Sequence, residues 1–250
     1  PGLGTIQPSQ GDYFQACKGG GHGDYRLIVL APASVQEMHD FVALGFDLAF
    51  KYRNPAMILA DGAIGQMMEK VVLAPQRPRK TNEEIAAECR DWATYGKPAD
   101  RPRNVVTSLE LQSEAMEKIN LRLQAKYKAM EENEVRYEAL ACDDADYVIV
   151  AFGSSARICS ATVEMARAEG IRLGMLRPIT LYPFPTRPIA ELAARVKGFL
   201  SVELNAGQMV EDVRLAVNGA VPVEHYGRQG GMIYSPDEVL AALKEKLIKA

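Results

Sequence analysis

Leu27-Ile-Val-Leu-Ala-Pro-Ala-Ser-Val-Gln-Glu37 passes from an unbroken apolar run into a helix start. The run Leu27 to Ala31 is too short for a core helix and reads as a buried strand. Ser34 with Glu37 three residues on is a capping box, in which the hydroxyl accepts from the N3 amide and the carboxylate returns to the N-cap amide. Val35, Met38, Phe41, Val42, Leu44, Phe46, Leu48 and Ala49 then carry an apolar face to about residue 52, where Asn54-Pro55 stops the helix. A second short apolar strand over 57–60 ends in Asp61-Gly62-Ala-Ile-Gly65. Strand, helix and strand in this order build parallel sheets, so the fold class is α/β.

Upstream of this unit, Cys17-Lys-Gly-Gly-Gly-His-Gly-Asp24 is too rich in glycine for a helix or strand, and the backbone must turn there and approach something closely. The glycines precede their strand, whereas a Walker loop or a dinucleotide fingerprint needs strand, loop and helix in that order. The chain opens directly on this binding loop, which predicts that it starts within a domain. Two strands and one helix leave a parallel sheet uncovered, so its other strands are expected to be missing or to come from another chain.

Downstream, residues 71–107 are rich in proline and charge and read as a connecting arm with one short acidic helix over 83–92. Ser113 is expected to cap a long polar helix reaching about residue 141, with Met116, Ile119, Leu123, Tyr127 and Met130 on one stripe. Its run Glu131-Glu-Asn-Glu134 reads as a solvated face. Beyond it, strands over 147–152, 172–176, 199–203 and 221–225 alternate with helices over 155–168, 188–196, 206–217 and 236–249. The last helix opens with the capping box Ser235-Pro-Asp-Glu238. This alternation predicts a doubly wound parallel sheet. The segments are thus 1–70, 71–141 and 142–250.

Composition excludes several classes. With 250 residues, 48% of them apolar, the chain can bury one large or two ordinary cores. A net charge of −3 with scattered Lys and Arg argues against nucleic acid as a partner. No long apolar run or leader points to a membrane. Cys17, Cys89, Cys142 and Cys159 show no C-x-x-C spacing, which suits reduced thiols in the cytoplasm.

In open α/β sheets ligands gather past the carboxyl ends of the strands. Four loops there, Gly153-Ser-Ser155, Arg177-Pro-Ile-Thr180, Asn205-Ala-Gly-Gln208 and Tyr226-Gly-Arg228, should converge on one edge. Arg177 and Arg228, with helix amino termini near Gly153 and Asn205, would make that edge attractive to an anion or a neighbouring subunit. Ser154, Ser155 and Asn205 serve equally well as helix caps, a role that explains neither arginine. His22, set among glycines and followed by Asp24, suits proton transfer or an oxyanion, or else a hydrogen bond to its own loop. His39 and His225 read as structural. No nucleophile–base pair, carboxylate pair or metal cluster stands out, so catalysis by this polypeptide alone is not expected.

Several quoted stretches, namely Pro1-Gly-Leu-Gly-Thr-Ile-Gln-Pro-Ser-Gln-Gly-Asp12, Gly21-His-Gly-Asp24, Val29-Leu-Ala-Pro-Ala-Ser-Val-Gln-Glu37, Leu176-Arg-Pro-Ile-Thr-Leu-Tyr-Pro-Phe-Pro185 and Val202-Glu-Leu-Asn-Ala-Gly-Gln-Met209, resemble the alpha subunit of 2-oxoacid:ferredoxin oxidoreductases. The likeness spans essentially the whole chain and is greatest to the branched-chain type acting on 3-methyl-2-oxobutanoate.

The resemblance implies a remnant of a thiamine-diphosphate-binding pyrimidine domain followed by a domain similar to the transketolase C-terminal domain. A beta subunit would share thiamine diphosphate and Mg²⁺. Gamma and iron–sulfur delta subunits would carry electrons to ferredoxin, with coenzyme A as co-substrate, in a dimer of hetero-oligomers. The family's activating carboxylate, its Tyr-Pro-Ile-Thr-Pro-type loop and its substrate arginine would lie before Pro1. Where many relatives read Gly-Pro-Ser-Thr-Gly, this chain has Gly2-Leu-Gly4. Gln10, Lys18 and His22 are implied near thiamine and substrate, His22 as the catalytic candidate. The alternative is a non-catalytic docking module, with Ser154, Ser155, Arg177, Asn205, Gln208 and Arg228 facing a neighbour.

Overall fold

Alternation along Tyr147-Val-Ile-Val150 places Val148 and Val150 in one apolar cluster and Ile149 in another, as the two-residue period of a strand requires. A strand buried on both faces needs helices above and below it. In the computed structural model, which describes residues 7–94, 96–97 and 99–249, that is the arrangement. The quoted Gly2-Leu-Gly4 lies outside the described residues.

The chain forms two compact units, one comprising residues up to Val72 with Leu123 onward, the other Leu73–Arg122. In the first, α1 (Tyr13–Cys17) leads through a 3₁₀ turn (Gly19–Gly21) to β1 (Ile28–Leu30), α2 (Val35–Tyr52), β2 (Ala56–Ile58) and α3 (Gly62–Gln66). The second unit contains α4 (Asn82–Glu88), started by a Thr81–Glu84 capping box. Next comes α5 (Ser113–Asn133). From it the first unit continues through β3 (Tyr137–Leu140), β4 (Tyr147–Val150), α6 (Gly153–Ala168), β5 (Leu173–Pro178), β6 (Thr180–Tyr182), α7 (Thr186–Ala193), β7 (Gly198–Glu203), α8 (Met209–Val217), β8 (Val223–Gly227) and α9 (Pro236–Leu243), with a π turn over Lys244–Ile248.

The larger sheet has the order β3-β5-β4-β7-β8. Its pairs β4–β5, β4–β7 and β7–β8 are parallel and β3–β5 is antiparallel. Ala156, Cys159 and Val163 of α6 join Val239, Leu240 and Leu243 of α9 on one face. Ile189 and Leu192 of α7 join Met209 and Val213 of α8 on the other, with Tyr13 and Ala16 of α1 in the same cluster. The sheet is therefore doubly wound, as the alternation predicts. The α/β fold class holds.

Three expectations need correction. The helix from Ser113 ends at Asn133, because Tyr137–Leu140 pairs with β5 in the register Tyr137↔Pro178 to Leu140↔Met175. The acidic run is only partly solvated. Glu134 is 2% exposed and accepts from Lys51 Nζ at 2.6 Å, Tyr52 OH at 2.7 Å and Arg136 Nη1 at 2.9 Å. Finally, the first sheet does not rely wholly on outside strands. β1 pairs in parallel with β2 and, on its other edge, antiparallel with β6 of the same chain, Val29↔Tyr182 and Leu30↔Thr180.

α2 begins at the predicted Ser34 cap, whose hydroxyl accepts from Glu37 N at 3.1 Å. The Glu37 carboxylate returns one residue earlier than a capping box requires, to Ala33 N at 2.7 Å. The core of this part is Ile28 and Leu48 against Tyr127 and Met130 of α5.

Candidate active-site loop and the seam behind it

Gln10 sits at the centre of the candidate site, 5% exposed in the loop before α1. Its Nε2 donates to Phe152 O at 2.8 Å. Its Oε1 accepts from Ser155 Oγ at 2.7 Å and from Leu204 N at 3.0 Å. The backbone follows the side chain: Gln10 N donates to Leu204 O at 3.0 Å, and Gln10 O accepts from Asn205 Nδ2 at 2.9 Å. Gln208 continues the line, its Nε2 donating to Gly11 O and its Oε1 accepting from Phe14 N, both at 2.8 Å. Behind Ser155, the Tyr234 hydroxyl donates to Ser155 Oγ at 2.5 Å. A buried polar network of this kind is stabilising only when each member is satisfied, and here the members satisfy one another.

The helix amino termini at this edge are also occupied. Asp61 caps α3 through Ala63 N at 3.0 Å and Ile64 N at 3.3 Å, and its Oδ1 accepts from Ser154 Oγ at 2.7 Å. Its Oδ2 takes Ser154 N at 3.3 Å, in the first turn of α6. At α8, Glu203, fully buried, accepts from Gln208 N at 3.1 Å, Met209 N at 2.8 Å and Val210 N at 2.9 Å, with Ser201 Oγ at 3.0 Å. The negative charge expected at these two termini thus comes from the chain itself.

Gly153 makes the close approach workable. Its φ is +55°, and a Cβ there would lie 3.1 Å from Gln10 Nε2 and 3.4 Å from Asp61 Oδ2.

The structure brings Gln10, Ser154, Ser155, Asn205 and Gln208 into one seam and leaves the other candidates outside it. Arg177, 6% exposed, is held by Glu37 through two bonds of 2.9 and 2.7 Å and by Glu138 at 2.7 Å. Burial alone would lower its pKa, yet those carboxylates raise it, so it stays charged and paired. Arg228 donates to Glu238 Oε1 at 2.6 Å. Lys18 is paired with Asp212 of α8, which also accepts from Tyr13 OH at 2.6 Å. Arg177 is thus fully engaged by carboxylates, Arg228 is shared with Glu238, and Lys18 faces a carboxylate of its own chain.

His22 differs from all of these. It is exposed in a turn where Gly19, Gly20, Gly21 and Gly23 have φ between +62° and +85°. Its backbone N donates to Gly19 O at 3.2 Å, and among the described residues its ring meets only the edge of Tyr25, centroids 6.1 Å apart. Beside the turn a cleft of about 670 Å³ is lined by Lys18, Arg26, Glu131, Tyr182, Phe184 and Asp212. Arg26 lies over the Tyr182 ring at 5.9 Å, and Tyr182 OH donates to Glu131 at 3.1 Å. Burial foremost, and then Glu131, push the Tyr182 hydroxyl up, so it remains a proton donor at neutral pH.

His225 turns inward, as expected of a structural histidine. Burial lowers its pKa against the opposing pull of Glu203, 3.9 Å away.

Sequence reasoning missed Asp61, Glu203 and Asp212. Asp61 carried a readable signal, an acid at a strand end immediately before a helix. Glu203 carried none, because its carboxylate folds back over several residues to reach α8.

Two family models match the chain. Residues 1–138 fit the pyruvate flavodoxin/ferredoxin oxidoreductase thiamine-diphosphate-binding domain, and residues 145–239 fit core domain II of pyruvate:ferredoxin oxidoreductase. Ketoisovalerate oxidoreductase subunit VorB of Methanothermobacter thermautotrophicus is 49% identical over 98% of this chain. The chain belongs to the 2-oxoacid:ferredoxin oxidoreductase family.

Within that family, 2-oxoglutarate synthase subunit KorA of Methanothermobacter marburgensis is 36% identical over 94% of the chain. The chain spans 67% of the VorB relative and 68% of this KorA. Among solved structures, 2-oxoglutarate:ferredoxin oxidoreductase from Magnetococcus marinus, with 2-oxoglutarate, coenzyme A and succinyl-CoA bound, superposes with a TM-score of 0.73 at 20% identity. The match covers 96% of this chain and 45% of that one, and it shows a shared fold.

Thiamine diphosphate fits the described residues poorly at its diphosphate end. Among them no group of three His, Cys, Asp or Glu could hold a metal ion, and the seam's helix termini at Ser154 and Gln208 already bind carboxylates. No described helix is long and apolar enough to cross a membrane.

Proposed function

We propose that this chain is part of the alpha-type subunit of a 2-oxoacid:ferredoxin oxidoreductase that oxidatively decarboxylates a branched-chain 2-oxo acid. The observation that carries the substrate choice is the difference between 49% identity to the ketoisovalerate subunit and 36% to the 2-oxoglutarate subunit, over nearly the same share of the chain. The acyl product passes to coenzyme A and the electrons to ferredoxin. Residues 1–70 contribute the pyrimidine-facing domain, 71–141 the arm and long helix, and 142–250 a transketolase C-terminal-like domain. In this reading the beta subunit contributes the Mg²⁺-diphosphate seat and partner subunits hold the iron–sulfur clusters. The cofactor supplies the carbanion chemistry and the protein supplies position and electrostatics.

In this reading the two halves of the N-terminal loop have different tasks. Gln10 is a positioning residue whose side chain is wholly engaged within the chain. His22 is presented outward on a turn of glycines, where an imidazole can exchange a proton with bound substrate or cofactor. Ser154, Ser155, Asn205 and Gln208 act through the seam. Lys18 tunes the loop through Asp212.

The test is reconstitution of the complete subunit with its cognate partners, measuring ferredoxin reduction with ketoisovalerate, pyruvate and 2-oxoglutarate. A kcat/KM for ketoisovalerate at least tenfold above that for 2-oxoglutarate supports the assignment. The reverse order overturns the substrate, and loss of 2-oxoacid dependence overturns the reaction.

A further inference from the structure

Within the first unit, the cleft of about 670 Å³ beside the glycine turn carries charges that the seam does not use. It is bordered by the end of α5, by β6 and by the start of α7. Two of its cations are answered by acids of the same chain, Lys18 by Asp212 and Arg187 by Glu191 at 2.8 Å. Arg26 is not. Half-buried, it donates through Nη1 to Tyr25 O at 3.0 Å and lies over the Tyr182 ring at 5.9 Å, and among the described residues no carboxylate pairs with it. Its remaining N–H groups are donors in want of an acceptor.

Glu131 stands at the hydroxyl end of the same ring, where its Oε1 accepts from Tyr182 OH at 3.1 Å. Glu132 lines the cleft beside it, and among the described residues neither glutamate is paired with a cation. One tyrosine therefore carries a guanidinium on its face and a carboxylate at its hydroxyl. Val135, Tyr137 and Phe184 add apolar surface to the same cleft.

We infer that this cleft binds a free α-amino acid with an apolar side chain, its carboxylate on Arg26, its ammonium on Glu131 and Glu132, and its side chain against Val135, Tyr137 and Phe184. A simple anion would meet two uncompensated glutamates, and a simple amine would meet Arg26. A zwitterion answers both. A guanidinium held flat against a ring is also preorganised for a bidentate carboxylate. The cleft is larger than one amino acid, so the ligand takes its Tyr182 end. Both glutamates are exposed, which screens the ammonium contact and makes binding weak, on the order of millimolar. The site lies outside the Gln10 seam and does not depend on the reaction proposed above.

Titration of the complete subunit followed by ligand-detected NMR tests this with three probes: L-leucine, 4-methylpentanoate, which lacks the amino group, and 3-methylbutylamine, which lacks the carboxylate. Expected are saturable binding of L-leucine and at least tenfold weaker binding of either analogue. Arg26→Gln should weaken L-leucine at least tenfold. The double variant Glu131→Gln, Glu132→Gln should do the same without weakening 4-methylpentanoate. The melting temperature is the folding control, and the double variant, at two exposed positions, decides the matter should Arg26→Gln fail to fold. No saturation by L-leucine up to tens of millimolar, an analogue that binds as tightly as L-leucine, or L-leucine binding indifferent to either set of substitutions would each overturn the inference.

Discussion

Replacing Gln10 with Leu keeps nearly the same volume and removes the side chain's polar contacts. The Leu204 amide loses its acceptor at 3.0 Å, the Phe152 carbonyl loses the donor at 2.8 Å but keeps Ala156 N at 3.2 Å, and Ser155 loses its acceptor at 2.7 Å while keeping the donor Tyr234. A buried polar group left unsatisfied costs roughly 1–3 kcal/mol and each further lost hydrogen bond about 1 kcal/mol, and Ser155 can turn its hydroxyl, so Gln10→Leu should destabilise by about 2–4 kcal/mol. For a chain of this size that corresponds to a fall in Tm of roughly 4–16 °C. Ser155→Ala, which removes one donor and one acceptor from the same network, should cost less, about 1–3 kcal/mol. Thermal unfolding followed by far-UV circular dichroism, with urea titration as a second measure, reads both. A Gln10→Leu variant melting within about 2 °C of the unsubstituted chain would mean that this side chain does not hold the seam, and the division of the loop into a locked half and a presented half would fail.

Other consequences are as direct. Burial raises the carboxyl of Glu134, but hydrogen bonds from Lys51, Tyr52 and Arg136 outweigh it and hold the pKa below the ordinary glutamate value. Its contribution is therefore complete above the unfolded pKa of about 4.3 and lost as pH falls through the lower folded value; the urea midpoint should drop between about pH 5 and pH 3, less steeply in Glu134→Gln, and identical slopes would refute this. Burial raises the thiols of Cys17, Cys142 and Cys159, so they should react with a disulfide reagent only as the chain unfolds; rapid native-state labelling of Cys17 would show the α1 region to be open. Gly153→Ala must place a side chain at φ +55° and 3.1 Å from Gln10 Nε2, with an expected cost of about 2–3 kcal/mol by urea titration. An unchanged midpoint would contradict the close approach of the loop to α6.

The doubly wound sheet was legible because its signals are local. Two-residue periodicity fixes β4, and serine caps fix the starts of α2 and α9, where Ser235 and Glu238 form the full capping box. Pairings between distant segments left no such mark. Tyr137-Glu-Ala-Leu140 continues a polar helix by local preference and becomes a strand only because β5 offers an edge. Thr180-Leu-Tyr182 is too short to read as a strand until β1 is seen beside it. The loops at 153–155 and 205–208 do meet, at Gln10, while the two arginines expected beside them are paired with carboxylates. Arg177 and Arg228 looked unassigned because their acids lie on α2, β3 and α9, far off in the sequence or on a separate element. Glu203 and Asp61 fill the helix termini from positions that a search for cap residues passes over or undervalues. His22 is exposed, as glycines on both sides, which leave little for its ring to pack against, would make it.

Hydrogen–deuterium exchange along residues 9–24 in the reconstituted complex, with and without thiamine diphosphate, tests the division of the loop most directly. Gln10 N on Leu204 O, Phe14 N on Gln208 Oε1 and Ala16 N on Asp12 O should exchange as slowly as the strands of the large sheet in both states. Residues 19–24 should exchange rapidly without cofactor and slow markedly with it. Fast exchange at Gln10 and Phe14, or a turn at His22 that the cofactor leaves unchanged, would contradict the account.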